Sequence, residues 1–200
     1  MAPAVDRSFD IRLMTERDYP QVREILQAGM DTGEATFESE APDWLGFSHH
    51  RIMDLAFVAV EGDKVLGWIT ATPASHREVF RGVIEDSIYV SADAKGRGVA
   101  GGLLDHLISD AESQGYWAMH SSIFPENESS VKLHESRGFQ KVGILHSMAQ
   151  MTYGPKQGKW RHNLIMEKVL KNGPAWDDYA ADMESGAGEL KESAETTSFR

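Results

Sequence analysis

Apolar residues recur along this chain with two different periods, and the switches between them mark out its elements. Residues 11–14 read as a first strand. Thr15 followed three places later by Asp18 is an N-cap signal, with Asp where Glu or Gln is usual, and the helix it opens runs to about Met30. Residues 42–54 form a second, shorter helical region. Two apolar runs, 55–60 and 65–72, are separated by Glu61-Gly62-Asp63-Lys64, the pattern of a hairpin, and residues 83–90 give a third long strand. Val99, Leu103, Leu104, Leu107, Ile108 and Ala111 then recur at three and four residues, with Gly115 placed to end that helix. Residues 116–124 predict a strand, residues 129–136 a short helix ended by Gly138, and residues 141–145 and 164–170 the last two strands. Hairpin strands together with strands separated by helices imply an α/β architecture, a mixed sheet covered by helices on both faces.

The last thirty residues break this order. From Lys171 to Arg200 there are seven acids against three bases and no sustained apolar period, so the chain divides into a domain over 1–170 and an acidic tail over 171–200, peripheral or mobile. Two hundred residues with a 41% hydrophobic fraction suit one packed domain. Cysteine is absent, which excludes disulfides, thiolate metal sites and a cysteine nucleophile and fits a reducing cytoplasm. No apolar run reaches the length of a membrane span, and the first ten residues lack the order of a secretion signal, so a soluble, cytoplasmic protein is expected. The formal charge of −11 disfavours nucleic acid as a partner. The eight histidines show no ligand spacing; His49 and His50 are adjacent and diverge on a helix, so no metal is expected.

One segment carries chemistry. Gly96-Arg97-Gly98-Val99-Ala100-Gly101 matches G-x-G-x-x-G, the dinucleotide fingerprint, but five residues separate it from the preceding strand, and no acid stands about twenty residues downstream where a ribose partner belongs. A different anion cradle fits better. Glycines at a helix start turn successive backbone amides toward one point, where the helix dipole also favours negative charge. Lys95 and Arg97 add local positive charge, and a diphosphate suits the site. The plain alternative is a turn that needs glycine for helix–strand packing.

Lys95-Gly96-Arg97-Gly98-Val99-Ala100 resembles the Q/R-x-x-G-x-G/A signature of the GNAT acetyltransferase superfamily, with Lys95 where Gln or Arg is usual. The flanking Ile84-Glu85-Asp86-Ser87-Ile88-Tyr89-Val90 and Pro125-Glu126-Asn127-Glu128-Ser129-Ser130-Val131-Lys132-Leu133-His134-Glu135-Ser136-Arg137-Gly138-Phe139 resemble the branch of phosphinothricin and methionine sulfoximine N-acetyltransferases. The resemblance spans residues 11–170. It implies a GNAT fold, in which one central, mostly antiparallel sheet contains one splayed parallel strand pair. It also implies acetyl-CoA as cosubstrate and a homodimer.

Acetyl transfer from a thioester to an amine requires that the ammonium lose a proton, that an oxyanion find a donor and that the leaving thiolate be stabilised. By the resemblance, Ile88, Tyr89 and Val90 line the pantetheine and offer the oxyanion donor, and Asn127 contacts the cofactor. Glu85 is the candidate general base, for which the plain alternative is a strand carboxylate paired with arginine. His134 is the candidate general acid or thiol-positioning residue, otherwise a packing or surface histidine. Arg77 and Arg81 stand where this branch holds the acceptor's acidic group, a task suited to bidentate guanidinium, though both can equally be surface ion pairs. Thr36 and Phe37 resemble its substrate wall, and Gly158-Lys159-Trp160-Arg161 a late segment near the pocket. The acceptors implied are glutamate-like molecules with a tetrahedral side-chain group: phosphinothricin, methionine sulfoximine or sulfone, or an arsenical analogue. The alternatives are a GNAT enzyme acting on a peptide, lysine or polyamine amine, a non-catalytic acyl-CoA-binding protein, and a partner-binding module working through its tail.

Overall fold

The computed structural model describes residues 8–173. The expected order appears: β1 (Asp10–Leu13), α1 (Tyr19–Asp31), α2 (Trp44–His49), β2 (Ile52–Glu61), β3 (Lys64–Pro73), β4 (Val83–Val90), α3 (Val99–Ser113), β5 (Ala118–Ile123), α4 (Glu128–Glu135), β6 (Gln140–Gln150) and β7 (Trp160–Val169). The seven strands form one sheet in the order β1-β2-β3-β4-β5-β7-β6, antiparallel everywhere except between β4 and β5. Of the tail proposed over 171–200, residues 174–200 lie outside the described residues.

The runs that are apolar throughout are those buried on both faces. In β2, Leu55, Phe57 and Ala59 join a core shared with Leu103, Leu104 and Leu107 of α3, while Ala56, Val58 and Val60 join a second core with Val22, Leu26 and Met30 of α1 and Phe47 of α2. Helices therefore cover both faces, as the alternation demanded. Among the described residues no helix is long and apolar enough to cross a membrane.

Three boundaries differ from the sequence reading. The second helical region contracts to Trp44–His49, because Asp43 caps it through the Gly46 amide at 2.8 Å and the chain is already extended at Ile52, opposite Ala71. The strand expected over 116–124 begins only at Ala118. The last two strands are much longer than their apolar cores, running Gln140–Gln150 and Trp160–Val169. Their pairing shifts register between Leu145 and Ala149, where Ser147 takes a positive φ of 51°, and that irregularity erases the two-residue alternation.

Candidate active site

The parallel pairing of β4 with β5 lasts three residues, Val83, Ile84 and Glu85 opposite Ala118, Met119 and His120. Beyond it β4 continues against β3 to Val90, and β5 continues against β7 to Ile123, so the two strands diverge. The backbone of residues 86–90 on that side has no strand partner. This wedge opens a cavity of about 1190 Å³, lined by Glu85 through Val90, Lys95, Gly96, Gly98 through Gly101, Ser121 through Phe124, Asn127 and His134.

One end of the cavity is the glycine loop. Gly96 and Gly98 sit at φ of 77° and 78°, a left-handed conformation that disfavours other residues. The first backbone bond of α3 runs from the Gly102 amide to the Gly98 carbonyl at 2.9 Å, so the amides ahead of it have no carbonyl within the helix. A Cβ on either loop glycine would meet nothing within 4 Å, which leaves the cradle open for an anion. Lys95 lines it. Arg97 does not: its Nη2 donates to Glu61 Oε1 at 2.6 Å and to Ser8 Oγ at 2.9 Å, outside the cavity. Arg137, from the turn after α4, lines it instead. Asn127 caps α4 by accepting the Ser130 amide at 3.3 Å, and its Nδ2 reaches the Glu34 carbonyl at 3.4 Å.

Consecutive residues of a strand face opposite sides, and here that separates two acids. Ile84 and Ile88 pack with the α3 core and Tyr89 with the α1 core, so Asp86 faces α3 and α4 while Glu85 faces α1. Glu85 is half-buried, lines the cavity, and its carboxylate has no partner among the described residues. Asp86 is enclosed. Its Oδ2 lies 3.2 Å from His134 Nε2, with both side chains 1% exposed. His134 Nε2 also lies 3.1 Å from Ser121 Oγ, and Nδ1 lies 2.7 Å from the Ser130 carbonyl. Because serine and aspartate share one ring nitrogen, this is no Ser–His–Asp relay, which needs them on opposite nitrogens. Burial alone would lower the imidazole pKa; the hydrogen bond and charge of Asp86, helped by the Ser130 carbonyl, overcome it and raise the value. An acceptor faces each ring nitrogen, the Ser130 carbonyl at Nδ1 and the Asp86 carboxylate at Nε2, an arrangement that suits a protonated ring. Asp86 Oδ1 is buried without a hydrogen-bond partner among the described residues, an acceptor oxygen at the cavity wall. Tyr89 stacks on Trp68 with ring centroids 4.8 Å apart, and burial pushes its phenol up to about 12.

The Acetyltransferase (GNAT) family profile matches residues 19–139, more than half of the chain. The chain belongs to the GNAT acetyltransferase family. It is 31% identical over 169 residues to phosphinothricin N-acetyltransferase of Alcaligenes faecalis, covering 82% of this chain and 83% of that one. It is 37% identical over 107 residues to an L-methionine sulfoximine/L-methionine sulfone acetyltransferase of Pseudomonas aeruginosa, covering 54% and 59%. Among solved structures it superposes with a GNAT phosphinothricin acetyltransferase from Sinorhizobium meliloti in complex with acetyl-CoA, with a TM-score of 0.74, 28% identity and coverage of 83% and 90%. The protein is thus an acetyl-CoA-dependent N-acetyltransferase, and its residues fit that cosubstrate: open amides and Lys95 for phosphates, a free strand edge for the pantetheine. Among the described residues no group of three or more His, Asp or Glu is placed to hold a metal ion.

The GNAT cavity ends at a wall that gathers Thr36 and Phe37, with Phe37 edge-on to Phe124 at 4.9 Å. The wall is held from outside. Tyr153 donates to the Thr36 carbonyl at 2.9 Å. Arg161, 3% exposed, donates to the Gly33 carbonyl at 2.7 Å, to Glu34 at 2.6 Å and to Glu126 at 3.2 Å, with its guanidinium 4.1 Å from the Phe124 ring centre. Arg77 and Arg81 are not brought there: both are exposed outside the cavity lining, Arg77 over Phe80 and Arg81 over Trp117 beside Glu78. Sequence reasoning passed over Asp86 and Arg137, although Asp86 adjoins Glu85 in the quoted motif and strand alternation places it on the opposite face.

Proposed function

We propose that this enzyme acetylates the α-amine of a small glutamate-like acceptor bearing a tetrahedral side-chain group, such as phosphinothricin, methionine sulfoximine or sulfone, or an arsenical analogue. The observation that carries the reading is the unpartnered Glu85 carboxylate at the point where β4 and β5 part, facing away from the Asp86–His134 pair. Glu85 takes the proton of the acceptor ammonium, directly or through water, so that the amine attacks the thioester carbonyl. An amide of residues 88–90 donates to the oxygen as its charge develops. Of the two tasks considered for His134, positioning of the thiol suits it better than proton donation, since both ring nitrogens are already engaged.

The wall of Thr36, Phe37 and Phe124 fits a compact acceptor. For Arg77 and Arg81 to hold its acidic group, the loop joining β3 to β4 has to close over the cavity mouth. Their distance from the cavity favours one second reading, a peptide or polyamine amine met by Glu34 and Glu126. A panel of amines with acetyl-CoA, followed by release of free thiol, separates the two: turnover of the amino-acid analogues alone supports the first, and turnover of peptides or polyamines alone overturns it. A homodimer is proposed on the strength of edge strand β6, whose Val142, Ile144, Leu145 and Met148 are 60, 46, 45 and 50% exposed. Ile144→Lys should shift the sedimenting species toward monomer; an unchanged distribution would remove β6 as the interface.

A further inference from the structure

We propose that Arg137 reads the ribose 3′-phosphate of the acyl carrier and so sets the enzyme's preference for coenzyme A over carriers that lack that group. The inference rests on the acetyl-CoA activity and adds to it a residue outside the glycine loop.

Arg137 leaves the last turn of α4, where its amide donates to the His134 carbonyl at 3.0 Å, and its side chain lies across the first turn of α3. A Cβ placed on Gly101 would stand 2.1 Å from Arg137 Nη2. The third glycine of the fingerprint is therefore occupied by a guanidinium, and no dinucleotide is needed to account for it. The side chain is preset. Its Nε donates to Asp105 at 3.2 Å and its Nη1 to Ser136 Oγ at 2.6 Å, which leaves Nη2 directed at Gly101. The Nη2 edge thus lies against the helix end whose amides take the diphosphate.

Position distinguishes this cation from the cradle. Arg137 lines the main cavity and also an adjoining open groove of about 650 Å³, whose other walls are Asp105, Ile108, Ser136 and Lys168. It therefore stands at the outer edge of the cradle, where a carrier gripped by its diphosphate turns out of the protein. The carrier has one further anion beyond that point, the monoester phosphate on the ribose. A planar guanidinium held by two fixed bonds suits such a group, and Lys168 adds a second positive charge across the groove. Arg97 cannot take this part, since Glu61 holds it elsewhere. In a chain of net charge −11, two cations facing one groove are a local exception.

The test compares acetyl-CoA with acetyl-3′-dephospho-CoA on the purified full chain, using the best amine from the panel. The wild type should show a KM about tenfold or more higher for the dephospho carrier, the loss of a charged hydrogen bond. Arg137→Gln should raise the KM for acetyl-CoA by about 10- to 100-fold with kcat within about twofold, and leave the KM for the dephospho carrier unchanged. Arg137→Lys should recover part of the loss, and it carries the same comparison should the glutamine variant fail to fold. Equal penalties on both carriers would mean a diphosphate contact or a packing role and would overturn the proposal. So would a wild-type KM ratio near one. Absence of wild-type turnover with every amine would instead strike at the acetyltransferase reading.

Discussion

Replacing Asp86 by Asn tests whether the buried pair beneath the β4–β5 wedge is ionic. Both side chains are 1% exposed and the contact is 3.2 Å, so neither charge has water to replace the other. Removing one partner of such a pair costs about 3–5 kcal/mol, and the isosteric Asn, which can still donate to a neutral Nε2, belongs at the lower end, about 3 kcal/mol. For a domain of this size that lowers Tm by about 6–12 °C. The pH dependence has a definite sign. His134 has its folded pKa raised above the unfolded value near 6.5, so its contribution is complete below about pH 6.5 and is lost as pH rises through the folded value. Thermal unfolding followed by circular dichroism from about pH 6 to about pH 9 should show the largest gap between wild type and Asp86→Asn at the acid end, narrowing upward. In the variant, only the Ser130 carbonyl still opposes the effect of burial on His134, so the slope should flatten or reverse. Parallel pH profiles, or a Tm change under about 2 °C at the acid end, would refute the imidazolium–carboxylate pair.

Glu85→Gln should lower kcat by about a hundredfold or more with Tm unchanged, because the carboxylate makes no bond in the fold; near-normal turnover removes the base assignment. Arg161→Met deprives the Gly33 carbonyl and two glutamates of their shared donor, so it should cost about 1–3 kcal/mol and raise the acceptor KM while leaving the acetyl-CoA KM in place. An unchanged acceptor KM would show that the Thr36–Phe37 wall does not depend on it.

The fold was legible where burial on both faces forced continuous apolar runs, as in β2, β3 and α3. In β6 only residues 141–145 were legible, because the strand is nearly all exposed and carries no alternation to mark its full length. The site divides the same way. The glycine loop could be read because left-handed φ at Gly96 and Gly98 restricts residue type. Lys95 could be named as well, but which arginine faces that loop could not. Arg97 is adjacent in sequence, but Glu61 from the β2–β3 hairpin turns it away, while Arg137 arrives from the far side of β5. Sequence separation ranks these two arginines wrongly because the contact is made where the turn after α4 meets Gly101 and Asp105 of α3. Arg161 was noted only as part of a late segment; its burial depends on the Gly33–Glu34 turn meeting β7 across the sheet end, a contact no local pattern encodes.

The adjacency of Glu85 and Asp86 would let one strand end serve both sides of the proposed reaction. Two carboxylates one residue apart in a helix or loop would share surroundings and repel each other, and neither role would be distinct. In a strand they are held apart on opposite faces, so one can remain open and unpaired toward the acceptor while the other is locked to an imidazolium on the carrier's side. The last paired residue of β4, Glu85 opposite His120, stands at the boundary, and the unpaired backbone begins with Asp86. A one-residue slip of β4 would exchange the two acids and bury the free one against His134. Register, fixed on the other edge by seven β3 pairs from Gly67↔Val90 to Pro73↔Ile84, is thus the feature of the fold on which the proposed chemistry depends most directly.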